Sequence, residues 1–187
     1  FLADDAYDVG YISQDGASGI QFQIRFGDRS VILYKYKPLA NGWHHVVVMF
    51  DNANDWAAIG IDGDLSWWND NLQDNDGLSN VAWPLSVGSF SSTDGFFPGR
   101  IDEVRISDVL RYSGDSYTVP AGPFATDLST LALWHFDDNP GAGTLSDSSG
   151  HLNHLAAKNG AATEGSLYTA AAPIFSRVPF FVYSSAL

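Results

Sequence analysis

Between Ile20 and Phe50 the chain sets apolar against polar residues at a period of two, which is the repeat of a strand with one buried face and incompatible with a helix. IQFQIRF (Ile20 to Phe26) alternates strictly, and SVILYKYK (Ser30 to Lys37) and WHHVVVMF (Trp43 to Phe50) follow it. Turn formers separate the three, at Gly27-Asp28 and Asn41-Gly42. The pattern predicts an antiparallel meander of three strands. WAAIGID (Trp56 to Asp62) and the residues after Gly63 extend it as a hairpin about Asp62-Gly63.

Composition agrees. With 187 residues the chain is long enough for one sizeable core, and one domain over 1–187 is expected. Glutamate and lysine, good helix formers, are nearly absent, while glycine, aspartate and aromatics abound. The net charge of −13 repels phosphate backbones and anionic lipid surfaces, so nucleic acid is not an expected partner. No cysteine is present, which removes disulfides and thiolate metal sites. The weakly charged stretch from Leu167 to Leu187 contains Pro173, Arg177 and Pro179 and does not read as a membrane span. A first residue of Phe1, with no leader-like segment, is expected of a processed chain or of a piece of a longer one.

Further along, 69–80 is a polar loop without periodicity, and Leu85 to Phe90 and Gly99 to Ser107 resume the strands. Residues 113–130 are rich in Pro, Gly and Ser. They are expected as a wrapping connection within the same domain, because the preceding strands would otherwise leave a sheet uncovered. LALWHF (Leu131 to Phe136) is a strong strand signal, and turn formers follow it to His154.

Three segments resemble the bacterial laminin G-like domain of the concanavalin A-like lectin and glucanase superfamily: GWHHVVVMFDNANDWAAIGIDG (Gly42 to Gly63), FFPGRIDEVRISDVLRY (Phe96 to Tyr112) and LALWHFDDNPGAGTLSDSSGHLNH (Leu131 to His154). The Gly-x-Ile-Asp-Glu-Val-Arg-Ile strand is the most specific of these signals. The resemblance implies an all-β fold, a jelly roll of two curved antiparallel sheets. In the family the Trp-x-Phe-Asp strand commonly opens a domain, whereas here it trails the Ile-Asp-Glu strand. Either the C-terminal strand closes the same sandwich, or the chain carries the end of one unit and the start of another. The apolar tail within 167–187 is then expected as an edge strand, paired with its own sheet or with a neighbouring subunit.

The residues offer little for catalysis. Glycosidases flank the bond with two carboxyl groups, and Glu103 and Glu164 are the only glutamates. Glu103 follows Asp102 in an alternating strand, so the two are expected to face opposite ways. No nucleophile elbow, phosphate loop or dinucleotide fingerprint is present. His44 and His45 read as packing residues, and His151 and His154 lack a third ligand of equal strength.

Calcium is the cofactor implied by the resemblance, at Asp102, Asp137 or Asp138, and Asp147 with Asn153. An EF-hand alignment on Gly77 fails, since Leu72 and Trp83 fall on ligand positions. Trp67 and Trp68 adjoin the acidic loop, so alternation turns one of them outward. Beside Asp70, Asn71, Asp74 and Asn75 that indole would offer a stacking face for sugar C–H groups and acceptors for hydroxyls. The sequence thus points to a non-catalytic binding or adhesion module for a glycan or surface protein, placed outside the cell, on its surface or on a virion. The alternative is a structural subunit of a virion or extracellular filament that pairs with its own copies.

Overall fold

In a computed structural model, which describes residues 2–3, 7–14, 17–26, 29–39, 42–51, 54, 56–68, 85–89, 97, 99–165 and 180–186, the alternating region builds the first sheet. Strands β2 (Tyr7–Gln14), β3 (Ala17–Phe26) and β4 (Arg29–Tyr36) pair antiparallel, and β1 (Leu2–Ala3) and β8 (Ser86–Val87) extend the sheet to the order β4-β3-β2-β1-β8. Ile20, Phe22 and Leu33 are buried on its inner face. Gln21, Gln23, Ile32, Tyr34 and Tyr36 alternate with them and take the outer one.

The third strand of the expected meander does not pair with β4. As β5 (His45–Asp51) it crosses to a second sheet, whose order is β10-β9-β13-β5-β6-β7. Its partners are β6 (Trp56–Ile61), β7 (Asp64–Trp68), β9 (Val104–Ser107), β10 (Thr130–Trp134) and β13 (Phe180–Ala186). The reason lies in the sequence. Where β3 alternates, HVVVMFD is buried at every position, so it needs cover on both faces and takes the middle of a covered sheet. The β6–β7 turn forms as expected, with Asp62 and Gly63 both at positive φ, 50° and 86°.

Pairings are antiparallel except those of β13, which lies parallel to β5 from Phe180↔His45 to Ala186↔Asp51 and parallel to β9 on its other side. The tail strand therefore sits inside the second sheet, not at an edge. A short ladder of β11 (Thr144–Leu145) and β12 (Leu155–Ala156) stands apart. Among the described residues no helix is long and apolar enough to cross a membrane.

Two apolar clusters follow from this layering. Between the sheets lie Ile20, Phe22, Leu33, Val46, Val48, Phe50, Ile59, Ile61, Val104 and Trp134. Val47, Met49, Ala58, Leu65 and Leu133 point to the back of the second sheet, where Leu110, Tyr112, Tyr117 and Phe124 cover them. The Pro- and Gly-rich connection thus wraps that back face. Backbone bonds from Leu65 N to Asp115 O (3.0 Å) and from Tyr117 N to Gly63 O (2.8 Å) tie it down. Gly60 makes room for it, since an added Cβ would meet the Tyr117 ring at 2.7 Å. Gly60→Ala is expected to lower stability by about 1–3 kcal/mol through overpacking, and the shift of the urea midpoint measures it.

Buried polar residues pin the layers. Lys35, 7% exposed, bonds Ser66 Oγ at 2.6 Å and pairs with Asp64 at 3.0 Å, tying β4 to the opposite sheet. Arg105 stacks on Phe124 at 3.9 Å from the ring centroid. Arg111 holds Asp127 through both terminal guanidinium nitrogens.

Candidate functional site

The Ile-Asp-Glu segment does not continue as a strand through its acids. Glu103 has φ of +57°, a conformation uncommon for a residue with a side chain, and β9 begins only after it, at Val104. The peptide turns there, so Asp102 and Glu103 do end on opposite sides, by a backbone twist rather than by strand alternation.

Glu103, fully buried, faces the back layer. Its Oε2 accepts from Phe124 N at 3.0 Å and its Oε1 accepts from His135 Nδ1 at 2.7 Å. That bond, first among the influences on the imidazole, lifts the pKa of His135 above its ordinary value. Both carboxylate oxygens are thereby engaged in holding the wrap and β10 to the sheet.

Asp102 takes the other side, where it lines a cleft of about 1210 Å³. Val87, Ile101, Ile106, Trp134, Leu155 and residues up to Glu164 line it with Asp102. Arg100 and Glu164, both half exposed, meet across the rim at 3.1 Å. Asp102 is 2% exposed, and its Oδ2 has no hydrogen-bond partner among the described residues. Burial, reinforced by the nearby charges of Glu103 and Asp137, pushes its carboxyl up to about 7. An acceptor of that kind calls for a donor from outside the protein.

Asp147 has a different task. Its Oδ1 accepts from Leu133 N and Ser149 N, each at 2.9 Å, and its Oδ2 from Ser149 Oγ at 2.7 Å and Asn153 N at 2.9 Å. Burial alone would raise this carboxyl, but these bonds outweigh it and hold the pKa below the ordinary value. The Asp147 amide donates to His154 Nδ1 at 3.0 Å. Asn153 is tied as firmly, giving Nδ2 to Leu131 O (3.0 Å) while its own carbonyl accepts from Trp134 Nε1 (2.8 Å). Asp138 accepts from the amide and hydroxyl of Ser146.

The donor set expected for calcium does not fit the ion as it stands. Asp147 and Asn153 form one closed knot of hydrogen bonds, and Asp137 stands apart from it, near enough to Asp102 to act on its charge. Among the described residues no three His, Cys, Asp or Glu side chains converge on a metal position.

Of the expected ligand-binding set, Trp67 and Trp68 are both half-buried. Trp67 belongs to the back layer, gives its Nε1 to Gly114 O at 2.7 Å and packs edge-on to Trp56. Trp68 packs against the core between the sheets. Asp70, Asn71, Asp74 and Asn75 lie outside the described residues. The histidines pack as expected: His45 is buried against Tyr117 (2.7 Å), with burial taking its pKa down to about 3, and His44 meets Asp62 at 2.7 Å.

Sequence reasoning missed the cleft. The signal available was an aspartate between Ile101 and Glu103 on a strand it expected to be regular, and only the positive φ at Glu103 frees Asp102 to line a cavity. Residues 3–115 match the family model for a laminin G-like domain, described as Concanavalin A-like lectin/glucanases superfamily, which spans more than half of the chain. No curated protein and no solved structure matches it.

Proposed function

The chain belongs to the concanavalin A-like lectin/glucanase superfamily, and from that premise we propose that it is a non-catalytic binding module, holding a glycan or a glycan-bearing surface protein for an extracellular or surface-displayed assembly. Domains of this kind are mostly non-catalytic, though some are glycosidases. The observation that carries the reading is the split between the two acids. Asp102 lines the cleft and holds a buried oxygen that lacks a donor among the described residues, while Glu103, its neighbour in sequence, is sealed into the opposite layer. Asp102 can accept a sugar hydroxyl, and the other acid that lines the cleft, Glu164, is paired with Arg100 at the rim. Hydrolysis by the usual route needs two carboxyl groups flanking the bond.

Titration with neutral hexaoses (cello-, xylo-, manno- and laminari-series) tests the proposal. Saturable heat with at least one series is expected at pH 8, where Asp102 is ionised, weakened about tenfold or more in Asp102→Asn, because a neutral amide oxygen accepts more weakly than a carboxylate. No reducing ends should accumulate. Absence of binding across the panel contradicts the reading.

One observation favours the second reading, a structural subunit of a virion or filament. β13 completes the second sheet between β5 and β9, and a strand in that place can also come from another copy. On this reading removal of 173–187 abolishes assembly measured by light scattering. On the binding-module reading the intact chain is monomeric.

A further inference from the structure

The segment that lines the cleft after β12 contains a turn whose chemistry is independent of any ligand. It spans 158–161 and is closed by a bond from Ala161 N to Lys158 O at 2.9 Å. Its central residues, Asn159 and Gly160, both have positive φ, 53° and 82°, the pattern of a type I′ turn. Both are exposed, and both line the cleft together with Lys158. Asparagine precedes glycine at one other place in the chain, 41–42, and residue 41 lies outside the described residues.

We propose that Asn159 is a site of spontaneous covalent modification, losing its side-chain amide to attack by the backbone nitrogen of Gly160. A bond forms between Gly160 N and Asn159 Cγ, and Asn159 Nδ2 leaves as ammonia with the proton of the Gly160 amide. A five-membered succinimide results. Water then opens the ring at one of two carbonyls. Cleavage at Cγ gives an aspartate at this position, and cleavage at the main-chain carbonyl gives an isoaspartyl link that runs through the side chain and carries an extra methylene. Water is the only co-reactant.

The turn brings this step within one peptide flip. Ring closure needs Gly160 N and Asn159 Cγ on the same side of the Asn159 Cα–C bond, which holds when ψ is about −120°, the value at the first central residue of a type II′ turn. That turn also needs a positive φ at its first central residue, which Asn159 already has. Rotating the peptide between 159 and 160 converts one turn into the other. Glycine accepts either sign of φ, and the space around Gly160 is open, since an added Cβ would meet nothing within 4 Å. Asp62-Gly63 has the same signs of φ but is held in place. Asp62 Oδ1 accepts from His45 N at 2.9 Å, its Oδ2 meets His44 Nδ1 at 2.7 Å, and an added Cβ at Gly63 would meet Tyr117 O at 2.8 Å. Asn54 and Asn153 give Nδ2 to Asp51 Oδ2 and Leu131 O, and neither precedes a glycine. The reaction at Asn159 sets a new carboxylate beside Lys158 on the cleft and, in the isoaspartyl form, lengthens the main chain there.

Peptide mapping by mass spectrometry, on the full chain sampled through a prolonged incubation at pH 8, tests the assignment. A mass gain of about one dalton is expected at Asn159, building up at least about tenfold faster than at Asn54 or Asn153. Isoaspartate methyltransferase should label the same peptide, which tells ring opening from direct hydrolysis of the amide. Gly160→Ala, whose added methyl hinders both the flip and the attack, should slow the gain about tenfold. Melting temperatures well above that of the incubation show that both chains react in the folded state. Retention of the Asn159 amide, a gain at Asn54 or Asn153 as fast as at Asn159, absence of the isoaspartate label, or equal rates in wild type and Gly160→Ala overturns the assignment.

Discussion

Asp147→Ala is expected to lose about 3–5 kcal/mol of folding free energy in urea titration, the largest single loss among the polar residues of the loop it organises. The carboxylate accepts four bonds, three of them from backbone amides, and Leu133 N lies in the middle of a buried strand. Alanine leaves those donors without a partner. Asp147→Asn keeps one acceptor oxygen and should fall between. The folded pKa is depressed, so the stabilisation is present above the ordinary carboxylate value and is lost as pH falls through the folded one. Wild type should weaken on acidification more steeply than the alanine variant. The loss should be equal in EDTA and in millimolar calcium; a loss that grows with calcium would show that the ion competes for this carboxylate.

Asp102→Asn is expected to act in the opposite direction. The unfolded chain releases this proton near 3.8, whereas the folded protein keeps it to about 7. Between those values the folded state holds more protons, so its stability falls as pH rises and levels off above 7. The amide removes that fall. The variant should match wild type near pH 3 and exceed it by about 2–4 kcal/mol at pH 8. His45, kept neutral by burial, acts the other way between about 3 and 6.5, so the variant should gain stability over that interval, with the wild-type curve flatter. Chemical denaturation at pH 3, 5, 6.5 and 8 separates the contributions. A residue that destabilises the fold and lines a cavity is the usual mark of a binding position rather than a packing one.

Much of the sandwich was legible because a period of two leaves few alternatives. IQFQIRF and SVILYKYK became neighbouring strands, and Asp62-Gly63 became the turn it resembles. The destination of β5 was not legible in the meander reading, although its unbroken apolar run signalled a strand covered on both sides. The wrap over 113–130 could be expected from the need to cover a sheet, but not which face it covers. That depends on Gly60, whose missing Cβ admits Tyr117.

At the site, Asp102 and Asp147 were both singled out, for a shared cation. Hydrogen bonding separates them, since one closes a loop with both oxygens engaged and the other lines a cavity with a buried oxygen that has no donor among the described residues. Such a distinction depends on contacts 14 or more residues apart, such as Asp147 with Leu133 and Glu103 with Phe124 and His135, which no local pattern encodes. The indoles show the same limit. Alternation separated Trp67 from Trp68, yet the partner of Trp67 is Gly114 O on the wrap.

Calorimetric titration of wild type and Asp102→Asn with the neutral hexaose panel, each sample assayed afterwards for new reducing ends, bears most directly on the claim that this cleft holds a ligand without cleaving it. The account predicts saturable binding by wild type, an about tenfold or greater weakening in the more stable variant, and no released sugar from either. Cleavage of the hexaose, or equal binding by both proteins, would contradict it.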